Sequence, residues 1–321
     1  LKTDPLCQKA FQQRRSDMRK LKKAVVLCLC AAAVSFGGGV LPAGTAFGAG
    51  APVMRGLTPS APGTVTYGNE KAVIDASNAS QGYVMVKYNG GGGKIKVQVA
   101  KSGGETYTYD LNARDAYEVF PFSEGNGGYT VKVFEHVSGN QYMQAASATV
   151  NVSLSDQFLP FLYPNQYVNF NDSSQAVSLA NTLAASAPDQ LGIVKNVYDY
   201  VTDNVTYDYA KAASVQSGYL PDIDQTLATK TGICFDYAAL MTAMLRSQNI
   251  PTKLVVGYTG SIYHAWVSVY LENIGWVDNV IYFDGHDWKL MDPTFASSGN
   301  KSQEIMDYIN NAANYQAKYS Y

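Results

Sequence analysis

Histidine and cysteine are scarce in this chain of 321 residues, which holds three His and four Cys. Three of the four, Cys7, Cys28 and Cys30, fall close to the beginning, so no disulfide-framed scaffold is encoded. The rest of the chain has no Cys pair, no His pair at ligand spacing and no Asp-rich loop of the calcium-binding type, so no metal and no cofactor is expected. Charge is also sparse, at 16% against 46% hydrophobic residues, which is too apolar for a disordered chain and excludes collagen-like and coiled-coil readings. The formal net charge of −2 hides an asymmetry: residues 1–23 hold eight Lys/Arg against Asp4 and Asp17, a balance of +6 that leaves −8 on the remainder. An acidic body is a poor partner for phosphate backbones, and no nucleic-acid partner is expected. The length suits two domains, each able to bury a core.

The basic cluster Arg19, Lys20, Lys22 and Lys23 runs into an apolar, small-residue stretch, Ala24–Leu41, followed by Pro42-Ala43-Gly44-Thr45-Ala46-Phe47-Gly48. These are the parts of a secretory signal peptide, processed after Ala46 or Gly48. The alternative is an uncleaved membrane anchor, against which Gly37–Gly39 and Pro42 weigh. Neither Cys28 nor Cys30 follows the small residue that lipid attachment needs. Residues 1–17 do not fit a signal peptide, and Met18-Arg19-Lys20 is the expected start. The expected location is secreted or cell-envelope, with membrane contact only through an uncleaved leader. Processing would leave Cys234 as the single thiol.

After a leader at 1–48 and a linker at 49–70, residues 71–155 alternate with period two between Gly- and Asn-rich turns. The expected strands are Lys71–Ala76, Gly82–Tyr88, Ile95–Lys101, Glu105–Leu111, Ala116–Phe122, Gly128–His136 and Gln144–Leu154. Seven short strands in this space predict an all-β sandwich of the immunoglobulin or fibronectin-III kind. Gly90–Gly93 before Lys94 lacks the spacing and the Ser/Thr of a phosphate loop, and reads as a hairpin. No chemistry is expected here, and His136 reads as a lone strand residue.

Residues 156–321 turn to helical period. Ala176, Leu179, Ala180 and Leu183 form one stripe, with Asp172 or Ser173 as cap; Val194, Val197, Tyr198 and Val201 form a second, with Ser186 as cap. Val205-Thr206-Tyr207 reads as extended, and Ala238, Leu240, Met241, Met244 and Leu245 mark a helix that stops by Asn249-Ile250-Pro251. Strands then return at Lys253–Thr259, His264–Leu271, Trp276–Tyr282 and Trp288–Asp292, with a final helix over Gln303–Lys318. Trp266, Trp276 and Trp288 read as sheet packing rather than a sugar site. Helices first and an antiparallel sheet second is an α+β order.

Cys234 falls where Gly232 ends a loop and a helix begins, a position that favours the thiolate. Taken alone it reads as core filler. A nucleophile needs a base, and His264 lies at a strand start in the same α+β unit, whereas His286 falls at a hairpin turn. A third group must orient the imidazole, and Asp292, in Leu290-Met291-Asp292-Pro293-Thr294, comes from the next suitable strand.

The segments Gly232-Ile233-Cys234-Phe235-Asp236-Tyr237-Ala238, Asn249-Ile250-Pro251 with Val255-Val256-Gly257-Tyr258, His264-Ala265-Trp266-Val267 and Asp292-Pro293-Thr294 resemble, in that order, the core of the transglutaminase-like superfamily. Tyr198-Asp199-Tyr200-Val201 and Asn204–Tyr209 resemble the helix and strand before the Cys in bacterial members. The similarity runs from about Asp172 to Phe295 and implies a papain-like fold with Cys234, His264 and Asp292 as a catalytic triad. A longer insertion, Asn273–Gly285, leaves Asp278, Asp284 and Asp287 as rivals for the third place.

Such a triad would attack a peptide or protein amide through the Cys234 sulfur, with the Cys234 N–H as one oxyanion donor and Tyr207 or Gln225 as candidates for a second. Water as second nucleophile gives a protease or amidase, and an amine gives a cross-linker. The expectation is thus an exported thiol enzyme acting on a peptide or protein substrate at the cell wall or envelope, with the β-sandwich as spacer or targeting module. The alternative is a catalytically silent transglutaminase-like binding or structural module.

Overall fold

Seven strands occupy the region read as period-two sequence and one precedes it. They are β1 (Thr66–Gly68), β2 (Ala72–Asp75), β3 (Tyr83–Tyr88), β4 (Ile95–Lys101), β5 (Thr106–Leu111), β6 (Tyr117–Pro121), β7 (Gly127–Ser138) and β8 (Gln141–Val152). The structure is a computed structural model that describes residues 56–321 except 273, 279–280, 284–287 and 291–313, and only the backbone at 281–283 and 288–290. Alternation is the cause of most of these strands. Ile95, Val97 and Val99 point inward from β4 while Lys96 and Gln98 remain partly exposed, and β5 buries Tyr107, Tyr109 and Leu111 in the same way. Each fully buried Val or Phe here contributes about 1.5–3 kcal/mol relative to exposure.

The strands form two four-stranded antiparallel sheets, ordered β1-β2-β3-β6 and β5-β4-β7-β8. Strand β3 is apolar on both faces, burying Tyr83 to Val86 and Tyr88. Tyr163, from the aromatic stretch after β8, packs on Tyr83 at 4.7 Å. Strand β1 lies inside the stretch read as linker.

Five helices follow: α1 (Gln175–Ala185), α2 (Gln190–Asn204), α3 (Tyr209–Ser214), α4 (Ile223–Thr229) and α5 (Cys234–Ser247). Their caps differ from expectation. The α1 cap position is Ser174, not Asp172 or Ser173, and the first free N–H groups, of Gln175 and Ala176, donate to the Asp224 carboxylate of α4 at 3.1 and 3.0 Å. Asp189 rather than Ser186 caps α2, accepting from Gly192 N at 2.7 Å. The expected stripe Val194, Val197, Tyr198 and Val201 is buried.

Helix α5 is the centre of the mixed region. Every residue from Asp236 to Ser247 is buried, because α1, α2, α4 and the sheet strands β11 (Thr252–Thr259) and β12 (Ile262–Leu271) pack around it. Asn249 ends it at φ +58°, a conformation Asn tolerates better than most residues.

Strands β9 (Thr206–Tyr207) and β10 (Thr231–Gly232) form a short parallel pair ahead of α5. The main sheet is ordered β13-β12-β11-β16, with β13 at Gly275–Val277 and β16 at Tyr315–Ser320, and every pairing in it is antiparallel. The expected strand Trp276–Tyr282 divides into β13 and β14 (Ile281–Phe283), and β14 pairs with β15 (Trp288–Leu290). The expected helix at Gln303–Lys318 is corrected in its last residues: Tyr315–Lys318 are extended in β16 on the edge of β11, and 301–313 lie outside the described residues.

The apolar core runs on from the strand-rich region into the mixed region, and Val53–Tyr321 forms one compact unit. Tyrosines carry much of the join. Tyr109 stacks on Tyr167 at 5.7 Å, Tyr167 meets Tyr321 at 4.6 Å, and Tyr321 meets Tyr107 at 5.6 Å. Below them Arg246, 1% exposed, donates to the carbonyls of Thr252, Tyr163 and Tyr321 at 2.9, 2.7 and 2.6 Å. Burial pulls its guanidinium down to about 9, which still leaves it charged at neutral pH.

Candidate active site

Gly232 and Gly257 are the two glycines on which the site depends sterically. A Cβ at Gly232 would lie 2.7 Å from the Asp236 Cβ, and one at Gly257 would lie 2.0 Å from the Gln316 carbonyl oxygen and 2.9 Å from the Trp266 ring. The Asp236 side chain therefore fills the space at Gly232, and at Gly257 backbone passes against backbone, a demand only glycine meets.

The parallel pair of β9 and β10 leads the chain through Gly232 and Ile233 into α5, whose first residue is Cys234. Cys234 is a free, half-buried thiol. Its N–H has no acceptor among the described residues, as expected of a first-turn donor. His264 enters from β12, directly across the ladder from Gly257, and is 5% exposed. Its ring lies roughly parallel to that of Trp266, with centroids 6.4 Å apart.

Cys234 and His264 line the same cleft, about 690 Å³ in volume. One wall is the chain after α3, including Val215, Gly218 and Tyr219, and another is the Ile262–Ala265 stretch of β12. A third wall comes from the strand-rich region, through Lys96, Thr108 and Asp110. The sequence had led us to expect no chemistry from that region. Lys96 and Asp110 form an ion pair at 2.5 Å, and Gln166 donates to the Asp110 carbonyl at 2.9 Å.

Asp236, with no exposed surface, organises the head of α5. Its carboxylate accepts from Ile233 N at 2.8 Å, Lys211 Nζ at 2.7 Å and the Tyr219 hydroxyl at 2.5 Å. Lys211 also donates to the Tyr219 hydroxyl at 2.5 Å. Burial works to lower the Lys211 ammonium, but the bonds to Asp236 and Tyr219 outweigh it and hold the group above the ordinary lysine range. Burial pushes the Tyr219 phenol up to about 12, with Asp236 adding to the shift. Sequence reasoning gave none of these three a role. Asp236 stood inside the Cys234 motif, but its partners are 25 and 17 residues away and carry no local signal.

Of the remaining candidates, Asp292, Asp284, Asp287 and His286 lie outside the described residues. Asp278 is described, is exposed just after β13, and is not part of the cleft wall. Its charge acts on Lys253, whose ammonium burial lowers and Asp278 raises. Tyr207 lines the cleft, whereas Gln225 is exposed on α4 outside it. His136 sits in β7 with its Nε2 bonded to the Gly139 carbonyl at 2.9 Å. Among the described residues no group of three or more His, Cys, Asp and Glu side chains forms a metal-binding cluster, and no helix is long and apolar enough to cross a membrane.

Comparison with known proteins bears on the same segment. Residues 177–279 match the family model of the transglutaminase-like superfamily, a span that contains Cys234 and His264. Over 97 residues the chain is 35% identical to UPF0252 protein MJ1282 of Methanocaldococcus jannaschii, covering 26% of this chain and 28% of that protein. Over 138 residues it is 30% identical to "Uncharacterized protein YebA" of Bacillus subtilis, covering 36% of this chain and 19% of that protein. The chain thus spans less than a third of the length of these curated relatives. Among solved structures, a "Putative Cysteine Protease" from Cytophaga hutchinsonii aligns at 17% identity over 66% of this chain and 74% of its own, with a TM-score of 0.32. Red sea bream transglutaminase aligns at 10% identity over 71% of this chain and 53% of its own, with a TM-score of 0.31. Residues 177–279 thus match a transglutaminase-like core, a span in which Cys234 heads α5 and His264 lies on β12.

Proposed function

We propose that this protein is an exported thiol enzyme that acts on peptide or protein amides through a Cys234 acyl-enzyme. The observation that carries the reading is the single cleft shared by Cys234, at a helix N-terminus, and His264. The Cys234 thiolate attacks the amide carbonyl carbon, and the charge that develops on the oxygen is met by the Cys234 N–H. As the tetrahedral intermediate collapses, His264 gives its proton to the departing amine and a thioester remains. Water or a second amine then displaces the sulfur, with His264 taking the incoming proton. Asp292 is the residue proposed to orient the imidazole and favour its charged form.

The order β2-β3-β6 facing β5-β4-β7-β8 supports an immunoglobulin or fibronectin-III-like sandwich for the strand-rich region, with β1 as an added edge strand. The position of Lys96, Thr108 and Asp110 on the cleft wall supports a role for it in binding substrate as well as in spacing or targeting. The basic and apolar leader supports export, and the proposed substrate is a polypeptide of the cell envelope.

Alkylation by iodoacetamide, compared between the wild type and His264→Ala, tests the reading. Fast wild-type labelling at Cys234 that slows in the variant is expected, and equally slow labelling in both overturns it. A Gln-containing peptide offered with and without a labelled amine then separates transfer from hydrolysis. Absence of any amide turnover returns the chain to the silent-module alternative.

A further inference from the structure

A single exposed apolar side chain needs no explanation, but several around one cleft do. Val215, Ile262 and Tyr263 are 37%, 42% and 56% exposed, and all three line the cleft that holds Cys234 and His264. They come from two walls. Ile262 and Tyr263 follow the two-residue turn Gly260-Ser261 between β11 and β12, and Val215 follows α3. Two more exposed rings extend the set: Tyr258 packs edge-on against Tyr263 at 5.4 Å, and Tyr209 against the cleft residue Tyr207 at 5.0 Å. A tight hairpin turn is specified by its own residues and not by apolar neighbours at the tip, so folding does not account for Ile262 and Tyr263.

Their surroundings define what they can hold. Burial, Tyr319 and Tyr258 push the Tyr263 phenol up, and Cys234 adds to the shift, which puts this ring within electrostatic reach of the sulfur. Charged groups on the cleft wall are already engaged. Lys96 and Asp110 pair with each other, and Gln166 donates to the Asp110 carbonyl and the Glu118 carboxylate, both at 2.9 Å. A charged side chain entering here would have to break that pairing, whereas an apolar one exchanges water for the rim. Tyrosine also suits a peptide, because its ring covers an apolar group while its hydroxyl stays available to polar backbone. The Cys234 N–H, which has no acceptor among the described residues, offers a further donor to a peptide carbonyl.

We propose that Val215, Ile262 and Tyr263 are specificity-determining residues, forming an apolar subsite beside Cys234 for a bulky aromatic or branched aliphatic side chain next to the attacked amide of a polypeptide. The polypeptide itself rests on the thiol-enzyme reading; the subsite says which polypeptides fit. Binding can be measured without turnover.

The experiment is protection of Cys234 from iodoacetamide, located by mass spectrometry, by capped pentapeptides of glycine and glutamine that carry Phe, Leu, Gly, Asp or Lys at the central position. The Phe and Leu peptides are expected to protect at concentrations about tenfold or more below those the other three require. Ile262→Ser combined with Tyr263→Ser is expected to reduce that advantage to less than about threefold and to leave the Gly peptide unchanged. Equal protection by all five peptides, protection by none, or an advantage that survives the double substitution overturns the proposal. If the double variant does not fold, an undiminished advantage in Val215→Ser overturns it instead. Equal protection by decanoate, which assigns the rim to an acyl chain, or a dimer that the substitutions disperse, which assigns it to a second copy, also overturns it. Protection ordered by apolarity in a protein that turns over no amide leaves this inference standing and removes the proposed activity. Amide turnover indifferent to the central residue does the reverse.

Discussion

Residues 66–152 and 175–321 fill their interiors by different rules. Leaving tyrosine aside, Asp75 is the only buried polar side chain among the described residues of the first region, and it is satisfied locally by Gly63 N and Ser77 N at 2.8 and 2.9 Å. The second region buries Asp236, Thr242, Arg246, Thr252, His264 and Ser268 around a single helix and its sheet. A polar group inside a fold costs stability unless its partners are held in place, so a region that carries many of them has been shaped by something besides stability. The first region is a packed scaffold whose contribution to the cleft is Thr108 and the Lys96–Asp110 ion pair. The second holds a carboxylate, a guanidinium and an imidazole in fixed positions.

Substitution of the sulfur itself tests the contrast most severely. Cys234→Ala is expected to abolish amide turnover and leave the thermal midpoint within a few degrees of wild type, because the site is half-open; a large loss of stability would mean the thiol is core filler. His264→Ala is expected to lower kcat about 10²- to 10⁴-fold, the usual range for general acid–base groups. Arg246→Ala leaves three carbonyls without their donor and an internal void, and denaturant unfolding is expected to show a loss of about 3–5 kcal/mol. In the scaffold, Ile95→Val removes one methylene from an all-apolar layer and is expected to cost only about 0.5–1.5 kcal/mol. Should it cost as much as Arg246→Ala, the distinction between the two interiors fails.

Smaller effects sharpen the boundary between the regions. Lys96→Met together with Asp110→Asn is expected to change stability by less than about 1 kcal/mol, since the pair is partly exposed, while raising or lowering KM with kcat unchanged. An unmoved KM would return the strand-rich region to spacing alone. The smallest effect concerns alkaline pH. The Lys211 ammonium is held above its ordinary pKa of 10.5, so the stability it contributes is fully present below that value and is lost as pH rises through the higher folded-state value. Thermal melts of wild type and Lys211→Met are therefore expected to converge as pH rises above the ordinary lysine range.

Much of this arrangement was legible because its causes are local. Alternation in Ile95–Lys101 and in Thr106–Leu111 reports burial of one face and fixes the strands nearly to the residue. Gly232 and Cys234 could be placed because they end and begin elements, where residue type and geometry are tied, whereas the strand read as starting at His264 begins two residues earlier, at Ile262. Strand β1 was not read, since Thr66, Tyr67 and Gly68 are all exposed and show no alternation. The α1 cap was misplaced because its acceptor, Asp224, comes from another helix 48 residues along the chain. Tyr315–Lys318 has the Ala, Gln and Lys of a helix, but the open edge of β11 offers ladder hydrogen bonds that outweigh that weak preference. The Lys211, Tyr219 and Asp236 cluster belongs with these: each member looks like a solvated side chain until the fold brings them together.

The edge strand β16 bears on the order in which the molecule becomes competent. It hydrogen-bonds along β11, presses its backbone against Gly257 opposite His264, and leads into Tyr321 on the cleft wall. During synthesis the ribosome therefore releases α5 and β12 before the strand that completes the edge of the main sheet. The part of the cleft wall that Tyr321 forms is in place only once Tyr315–Ser320 has paired with β11.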